Sequence, residues 1–539
     1  MTAIVKGDFL KKQNFLKGSL ILMMSAVTAK ALGAFFKIPL TNLLGGVGMS
    51  YFSCAYSIFM PVYALTVTGL SSAVARMTAQ SVALGMYTNA KKVRTTALMM
   101  FSAVGLAGSI ITFLLAKFFA GSAETSLSVA MIAPSVFFGC IMSVERGYYE
   151  GMSNMYPTAI SQVIEGIVKV FAGLFLCRYV TENINEIIIY FPDIDPRAIS
   201  ASAGILGVTL SSVGAVVFFA LLSLFRKKVP EKTEKAVMKR KEIAKELFIN
   251  AVPTGISAVV TNLTALIDMW TVIGCISYFG SRISVPDSIA ENEIPHFIYG
   301  SFAGIALTVF NLVPSVTNML GKGVLPCITE AWANHNMKSL SENTMQALIT
   351  SAVIAVPSAF GMAVLAPEIL GFLFPKQPDE VSVCINSLRL LMAGMVCLCV
   401  SFPLFSMLQA IGKATLPLKI MLLGTIVKFA GNLILIPFIS VDGASVSTSI
   451  CYAVILIVSV RLYIKHSGVR LKLMPFAVIT YSGGMCAGTA YLVCEILKRS
   501  GMGNFGVLAL SVATGGLVYV IVLAVCCSGL KNIRKPVVD

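Results

Sequence analysis

The chain has 539 residues, of which 57% are hydrophobic and only 12% charged, and its formal net charge is +16. A soluble protein carries roughly 25% charged residues, so this composition excludes a soluble enzyme and predicts an all-α protein that crosses a membrane many times. The sequence contains no GxxxxGK[ST] motif for nucleotide phosphates. We therefore expect no ATP hydrolysis and no catalytic residues.

Apolar segments of about 20 residues, the length needed to cross roughly 30 Å of hydrocarbon, recur along the whole chain. Lys and Arg concentrate in alternate loops, which predicts that both termini lie in the cytoplasm. This bias accounts for the positive net charge, so the expected partner is the bilayer and not nucleic acid. The predicted transmembrane helices number fourteen and cover residues 18–37, 49–73, 95–116, 127–145, 157–177, 201–225, 249–277, 298–320, 347–366, 386–409, 414–437, 442–463, 473–494 and 504–527.

The first predicted helix follows a short basic segment, and Ala29-Lys30-Ala31 carries the small residues of a signal-peptide cleavage site. The apolar run nevertheless continues to about Leu40, which is long enough to span, so we predict an uncleaved helix. Lys30 then lies about twelve residues, or roughly 18 Å, into the membrane. Lys37 follows near the outer end of the same helix.

A repeat is the most informative pattern in the chain. RGYYEGMSNMYPTAISQVIEGIVKVFAG occupies 146–173, and LQAIGKATLPLKIMLLGTIVKFAG occupies 408–431. Each copy runs from the end of one apolar helix through a Gly-containing turn to a Pro that opens the next, and Lys169 and Lys428 fall at matching places. The copies lie six predicted helices apart and so enter the membrane in the same direction. This predicts two parallel six-helix lobes around a central cavity, plus two extra C-terminal helices.

The longest charged run, residues 226–248, follows the sixth predicted helix. Its Glu and Lys residues at helical spacing predict an amphipathic helix along the membrane surface, and a docking site for another protein is the alternative. We therefore predict an N-lobe at 1–225, a cytoplasmic basic linker at 226–248 and a C-lobe at 249–463. Residues 464–539 would hold helices thirteen and fourteen with the C-terminal tail.

Charged side chains inside the predicted helices mark candidate binding residues, because such a charge costs about 2.5–3.5 kcal/mol in the bilayer. Helix five carries Gln162, Glu165 and Lys169 on one face. The last two have the spacing and order of an ion pair, and the sequence leaves open whether Glu165 neutralises Lys169. In helix eleven Lys428 has Asn432 one turn further on and no acid in its own span. Cations outnumber acids within the spans, which favours an anionic substrate such as a phosphate.

Residues suited to binding cations are few. Asp268 in helix seven is the clearest acid of the second lobe, with Asn262 six residues earlier. It could neutralise Lys428, bind a coupling cation or take up a proton, and the sequence leaves these three roles open. The 13 cysteines lie mostly in apolar spans without metal-ligand spacing, so we expect them to pack and predict no metal site.

Three stretches carry a family resemblance: LKGSLILMMSAVTAKALGAFFKIPLTNLLG, RGYYEGMSNMYPTAISQVIE and YGSFAGIALTVFNLVPSVTNML. They resemble the stage V sporulation protein B family, in the polysaccharide-flippase branch of the multidrug/oligosaccharidyl-lipid/polysaccharide exporter superfamily. The resemblance covers essentially the whole chain. It implies a carrier that moves undecaprenyl-pyrophosphate-linked saccharides across the bacterial plasma membrane by alternating access. Lipid II, for peptidoglycan or spore cortex, is the leading candidate.

The resemblance also implies roles for particular residues. Related lipid II flippases carry basic residues in the first helix around an R-x-L-G motif, which here reads Lys30-Ala31-Leu32-Gly33 and is followed by Lys37. These two lysines inherit the pyrophosphate-binding role, and we expect Lys169 and Lys428 to add charge. The relatives also place arginines in the second and eighth helices, where 49–73 and 298–320 hold no basic residue. Their last two helices accommodate the lipid tail.

The expected energy source is the membrane potential, with Na⁺ or H⁺ coupling left open and no cofactor. One alternative is a cation-coupled multidrug exporter of the same superfamily, although its cavity would need acids instead of lysines. Another is a non-transporting scaffold that recruits wall or sporulation enzymes through residues 226–248. Wall-synthesis enzymes are therefore candidate partners.

Overall fold

The computed structural model describes residues 15–114, 116–120, 122–224, 238–283 and 285–533. These ranges fold into helices joined by short turns and contain no β-strand. The prediction of an all-α protein is therefore confirmed. Two compact units are formed, Met1–Met269 and Trp270–Asp539.

The first unit is built from long apolar helices connected by tight turns. Its elements, in chain order, are α1 (Phe15–Tyr63), a π-helical turn (Ala64–Thr68), α2 (Gly69–Ala83), α3 (Tyr87–Leu114), α4 (Ala116–Ala120), α5 (Ala123–Ile132), α6 (Pro134–Gly151), α7 (Tyr156–Glu182), α8 (Ile184–Ile187), a 3₁₀ turn (Ile188–Tyr190), α9 (Pro196–Leu224) and most of α10 (Arg240–Phe279).

The second unit begins within α10 and has the same character. It continues with a 3₁₀ turn (Glu291–Glu293), α11 (Ile294–Ser301), a π-helical turn (Phe302–Ala306), α12 (Leu307–Phe310), α13 (Leu312–Ala333), α14 (Met337–Val364), α15 (Ala366–Leu373), α16 (Pro378–Ala410), α17 (Leu416–Ile439), α18 (Val441–Ser467), α19 (Met474–Arg499) and α20 (Asn504–Ile533). Helices α19 and α20 pack on each other and on α14. The predicted lobe boundaries at 225, 249 and 464 stay a prediction.

Thirteen helical segments in the described ranges are long and apolar enough to cross a membrane. The first of them, Ile21–Ala83, has 63 residues, about 95 Å of helix and far more than one crossing needs. Gly45 interrupts it with φ 68° and ψ −178°, a backbone conformation that is accessible to glycine and costly for other residues. This segment covers the first two predicted spans. The total of fourteen stays a prediction.

The two copies of the repeat form similar helical hairpins. In the first, α6 ends at Gly151 and Pro157 lies in the opening turn of α7. In the second, α16 ends at Ala410 and Pro417 opens α17. Proline suits this position because the first turn of a helix needs no N–H donor.

The end of the predicted basic linker is helical, although it is not a separate helix. Residues 226–237 lie outside the described part of the chain, and α10 runs without a break from Arg240 into the seventh predicted span. Ile243 and Leu247 are fully buried in a cluster with Val74 and Tyr149 of the first unit. The apolar face of this amphipathic segment therefore packs on its own unit, and its position at a membrane surface stays a prediction.

Candidate functional site

The first-helix lysines share one face of α1, which differs from the face that contacts α7. Ser25 donates a hydrogen bond to Oε1 of Gln162 on α7 at 2.9 Å, and Leu32 packs on Gly166. Lys30 and Lys37 share one face, roughly 120–140° around the helix from Ser25. Lys30 is exposed on its unit and Lys37 is half-buried. The helix therefore groups these two lysines on a face other than that of Ser25, which binds Gln162.

Glycines bring α7 close to its neighbours. A Cβ on Gly166 would lie 2.7 Å from the Leu32 side chain, and one on Gly173 would lie 2.6 Å from the ring of Phe36. A Cβ on Gly207 of α9 would overlap the Cα of Gly173 itself. The glycines of the repeat are thus packing positions that allow α7 to lie against α1 and α9.

Glu165 forms an ion pair with Arg146, which was not among the predicted site residues. Its Oε2 accepts a hydrogen bond from Nη2 of Arg146 at 2.9 Å, whereas the sequence suggested a local pair with Lys169. No salt bridge to Lys169 is found among the residues that the structure describes. The sequence left open whether Glu165 neutralises Lys169, and in this structure the Glu165 carboxylate is bound by Arg146 instead, next to a half-buried Lys169.

Arg146 crosses from α6 to α7. Its Nε donates to the hydroxyl of Ser161 at 2.9 Å, and its carbonyl accepts from the hydroxyl of Thr158 at 3.4 Å. The side chains of Arg146 and Glu165 are only 14% and 24% exposed. The sequence placed Arg146 in a cytoplasmic loop because the hydropathy of the span falls at 145, but α6 continues for five residues beyond it to Gly151.

A second ion pair lies beside the first and was also missed. Glu145 accepts three hydrogen bonds from Arg94 of α3, at 2.6–3.0 Å, and the guanidinium carbon of Arg94 lies 5.4 Å from the centre of the Tyr148 ring. Adjacent residues of α6 thus reach opposite neighbours, with Glu145 binding α3 and Arg146 binding α7. In the sequence, this arrangement is indicated only by the adjacent opposite charges of Glu145 and Arg146 at the end of the fourth predicted helix.

In the second unit, Lys428 is buried within a polar layer. Its side chain is 3% exposed and that of Asn432, one turn further on, is 0% exposed. Asn432 Nδ2 donates to the hydroxyl of Thr271 at 2.8 Å, and the hydroxyl of Ser447 donates to the Lys428 carbonyl at 2.9 Å. The predicted shared face of Lys428 and Asn432 is consistent with this burial.

The match between Lys169 and Lys428 is approximate. Aligning Gly166 with Gly424 also aligns Gly173 with Gly431, and then Lys428 falls one position later than Lys169. One position is about 100° around a helix. The two lysines therefore occupy different faces of equivalent helices, which the shared IVK letters concealed.

The candidate cation-binding residues lie on α10. Asp268 is 2% exposed, and Thr271, three residues later, falls on the same helical face. Asn262 is half-buried and its Nδ2 donates to the Ala258 carbonyl of its own helix at 2.8 Å, which leaves its carbonyl oxygen as the group available to a ligand. The three roles left open for Asp268 stay predictions.

Known proteins resemble this chain along most of its length. A family model described as polysaccharide biosynthesis protein matches residues 15–332, and a second, MatE, matches residues 301–434. Stage V sporulation protein B of Bacillus subtilis (strain 168) is 26% identical over 88% of this chain and 88% of that protein. Lipid II flippase MurJ of the same organism is 22% identical over 85% of this chain and 84% of that protein. The family resemblance inferred from the sequence is confirmed.

Solved structures share the fold. A lipid II flippase MurJ structure in an inward closed conformation has a TM-score of 0.68 at 15% identity and covers 95% of this chain and 99% of that one. An inward-facing multidrug resistance MATE family transporter has a TM-score of 0.64 at 15% identity and covers 84% and 98%. The two-lobed fold of these transporters is therefore the fold of this chain.

Proposed function

Because this chain belongs to the polysaccharide biosynthesis protein family and is a membrane transporter of the MurJ and MATE superfamily, we propose that its substrate is a lipid-linked saccharide. It would translocate an undecaprenyl-pyrophosphate-linked saccharide across the bacterial plasma membrane by alternating access. Lipid II, for peptidoglycan or spore cortex, is the leading candidate.

One observation carries this proposal. Arg146 binds the carboxylate of Glu165, so Lys169 remains a half-buried cation without a carboxylate among the described residues. A charge at this position in a transmembrane helix is costly unless it faces water, a partner or a ligand. A pyrophosphate supplies the missing negative charge, and the exposed Lys30 adds to the same electrostatic preference.

The proposed site residues divide by chemistry. Lys30 and Lys37 hold the pyrophosphate, Lys169 and the enclosed Lys428 add positive charge, and the amide of Gln162 offers hydrogen bonds. Asn432 belongs to the buried layer around Lys428. The prenyl tail would stay in the bilayer against α19 and α20, whose outer faces carry large exposed apolar side chains. Examples are Tyr481, Leu492, Ile496, Leu517 and Val520.

The driving force follows from the charge of the head group. A membrane potential that is negative inside favours outward movement of an anion by about 2.3 kcal/mol per charge per 100 mV. Asp268 and Asn262 would add Na⁺ or proton coupling if the potential alone does not suffice. No cofactor and no chemical step on the substrate are proposed, and both termini would lie in the cytoplasm.

A second candidate function rests on the MatE match to residues 301–434 and on the MATE-like fold. A cation-coupled drug exporter needs acids to attract a cationic drug. Among the candidate site residues, Glu165 is bound by Arg146, and four lysines oppose a single further acid, Asp268. The charge therefore favours the anionic substrate over a cationic drug.

Complementation tests the proposal. The chain is expressed in a strain whose own lipid II flippase can be depleted, and the lipid II accessible at the outer leaflet is measured. We expect the wild type to restore exposure, and Lys30→Ala and Lys169→Ala to restore much less. Lys338→Ala, which removes an exposed lysine at the start of α14, should behave as the wild type.

The possible results distinguish an error in the proposed substrate from an error in the assigned residues. A wild type that accumulates in the membrane but restores no exposure would contradict lipid II as the substrate. Rescue by the wild type together with normal Lys30→Ala and Lys169→Ala variants would instead contradict the assigned residues. Increased resistance to cationic drugs without lipid II exposure would favour the exporter.

A further inference from the structure

We propose that Arg146 is a positioning residue that keeps the ammonium of Lys169 available to an anionic ligand by holding the Glu165 carboxylate in an ion pair of its own. This inference rests on the proposed function, since a net cation at Lys169 matters if the substrate is an anion. It adds to that function a residue on α6 that touches no substrate and instead sets the charge of α7.

Glu165 has two cations within reach. Lys169 lies four residues later on α7, a spacing at which Cβ atoms are about 5–6 Å apart and the Glu-before-Lys order is favourable. Arg146 reaches Glu165 from α6 across the helical hairpin, with Nη2 and Oε2 at 2.9 Å. In the structure, the carboxylate of Glu165 is bound by Arg146 from the neighbouring helix and not by Lys169 on its own helix.

The geometry of Arg146 explains this preference. Its Nε is hydrogen-bonded to Ser161, a residue of α7 that is 0% exposed, and this bond fixes the plane of the guanidinium. A rigid guanidinium loses less freedom than a lysine on forming a carboxylate bond. Ser161 and Glu165 are four residues apart on α7, so one guanidinium satisfies two groups on one face.

The consequence is a separation of charge along α7. With Arg146 in place, Glu165 is neutralised from α6 and Lys169 remains positive. Without Arg146, Glu165 is left half-buried beside Lys169, and the two would form the local pair. Substitution of Arg146 removes one positive charge, and Glu165 then occupies the ammonium of Lys169 that would otherwise face the substrate.

A purely structural brace between α6 and α7 predicts a different result. If Arg146 only ties the hairpin together, removing Glu165 as well cannot repair the damage. If Arg146 keeps Glu165 from pairing with Lys169, removing Glu165 should restore binding. The double variant therefore separates the two roles.

The test measures binding of undecaprenyl pyrophosphate to the purified full-length chain in nanodiscs. We expect Arg146→Gln to weaken binding about tenfold, as the loss of one charge-assisted contact would. Arg146→Lys keeps a cation but loses the guanidinium geometry that bonds Ser161 and Glu165 together, so its binding should fall between that of the wild type and that of Arg146→Gln. Arg146→Gln combined with Glu165→Gln should recover to within about twofold, and Glu165→Gln alone should not weaken binding.

Two results would overturn the inference. One is an Arg146→Gln variant that binds as tightly as the wild type, and the other is a double variant that stays as weak as Arg146→Gln. Thermal unfolding of each variant shows whether the fold is retained.

A substrate-independent measurement keeps the test decisive if the wild type does not bind undecaprenyl pyrophosphate, which would contradict the proposed function. A cryo-EM structure of Arg146→Gln should show the Glu165 carboxylate on the Lys169 ammonium. A carboxylate that stays in its original place would refute the positioning role whatever the substrate.

Discussion

The α6–α7 hairpin of the first unit and the α16–α17 hairpin of the second share their glycines and prolines but differ in their charges. Gly166 and Gly173 correspond to Gly424 and Gly431 in sequence, and all four meet neighbouring atoms so closely that a Cβ would collide. The repeat therefore preserves the architecture of a closely packed helix.

The charged residues of the two hairpins, unlike the glycines, do not correspond. The Arg146–Glu165 pair has no counterpart, because Leu423 precedes the corresponding glycine in the second hairpin and α17 contains no acid at all. Lys428 is 3% exposed, while Lys169 is half-buried. The comparison indicates that the first hairpin presents its cation and the second encloses it.

Gly207→Val should have the largest effect, because it acts on the packing that the first hairpin depends on. Its Cβ would overlap the backbone of Gly173, and backbone cannot move aside as a side chain can. We expect a loss of about 3 kcal/mol or more and little monodisperse protein in size-exclusion chromatography.

Two further glycine variants calibrate that loss. Gly431→Val in the second hairpin meets chiefly the Ser447 side chain, with the hydroxyl at 2.5 Å, and should be milder. Gly488→Val on α19, where no described atom lies within 4 Å of a Cβ, should fold normally. Equal losses at Gly207 and Gly488 would contradict the packing role of the repeat.

Arg94→Ala should have the next largest effect, because it leaves the carboxylate of Glu145, whose side chain is 6% exposed, without its cation. Breaking one side of a buried ion pair costs about 3–5 kcal/mol, so the midpoint of thermal unfolding should fall clearly. Arg178→Ala is the control, since its pair with Glu182 is 70% and 60% exposed, and it should leave the midpoint unchanged. Similar midpoints for both variants would show that the α3–α6 pair does not stabilise the unit.

Lys428→Ala and Lys169→Ala should affect different properties: the first should lower stability, and the second should weaken substrate binding. Truncation of the buried Lys428 should lower stability by about 2–4 kcal/mol. Truncation of Lys169 should leave stability nearly unchanged and weaken undecaprenyl pyrophosphate binding about tenfold. Thermal unfolding and equilibrium binding on the same samples measure both. The reverse pattern would mean that the second hairpin presents the cation.

Much of the fold follows from local features of the sequence. Hydropathy locates the long helical segments, and prolines locate the turns of the repeat, since Pro157 and Pro417 open helices in the structure. The candidate lysines lie within helices as expected. Charged residues at helix ends were harder to assign to the site. A span defined by hydropathy ends where polar residues begin, so the predicted spans did not include Arg94 and Arg146.

By itself, the sequence determined what depends on composition and on neighbours along the chain. The apolar helical segments and the proline-opened turns between them belong here, because they depend on hydrophobicity and on local backbone geometry. The family resemblance also came from the sequence, through strings that the relatives share.

Only the tertiary structure decided which charge neutralises which. Spacing along α7 offered Glu165 a partner in Lys169, and packing of α6 on α7 supplied Arg146 instead. Packing also placed Lys428 in a buried layer with Asn432 and Thr271. The physical reason is that a salt bridge depends on distance in space, and helices brought together by packing offer partners that no spacing in the sequence reveals.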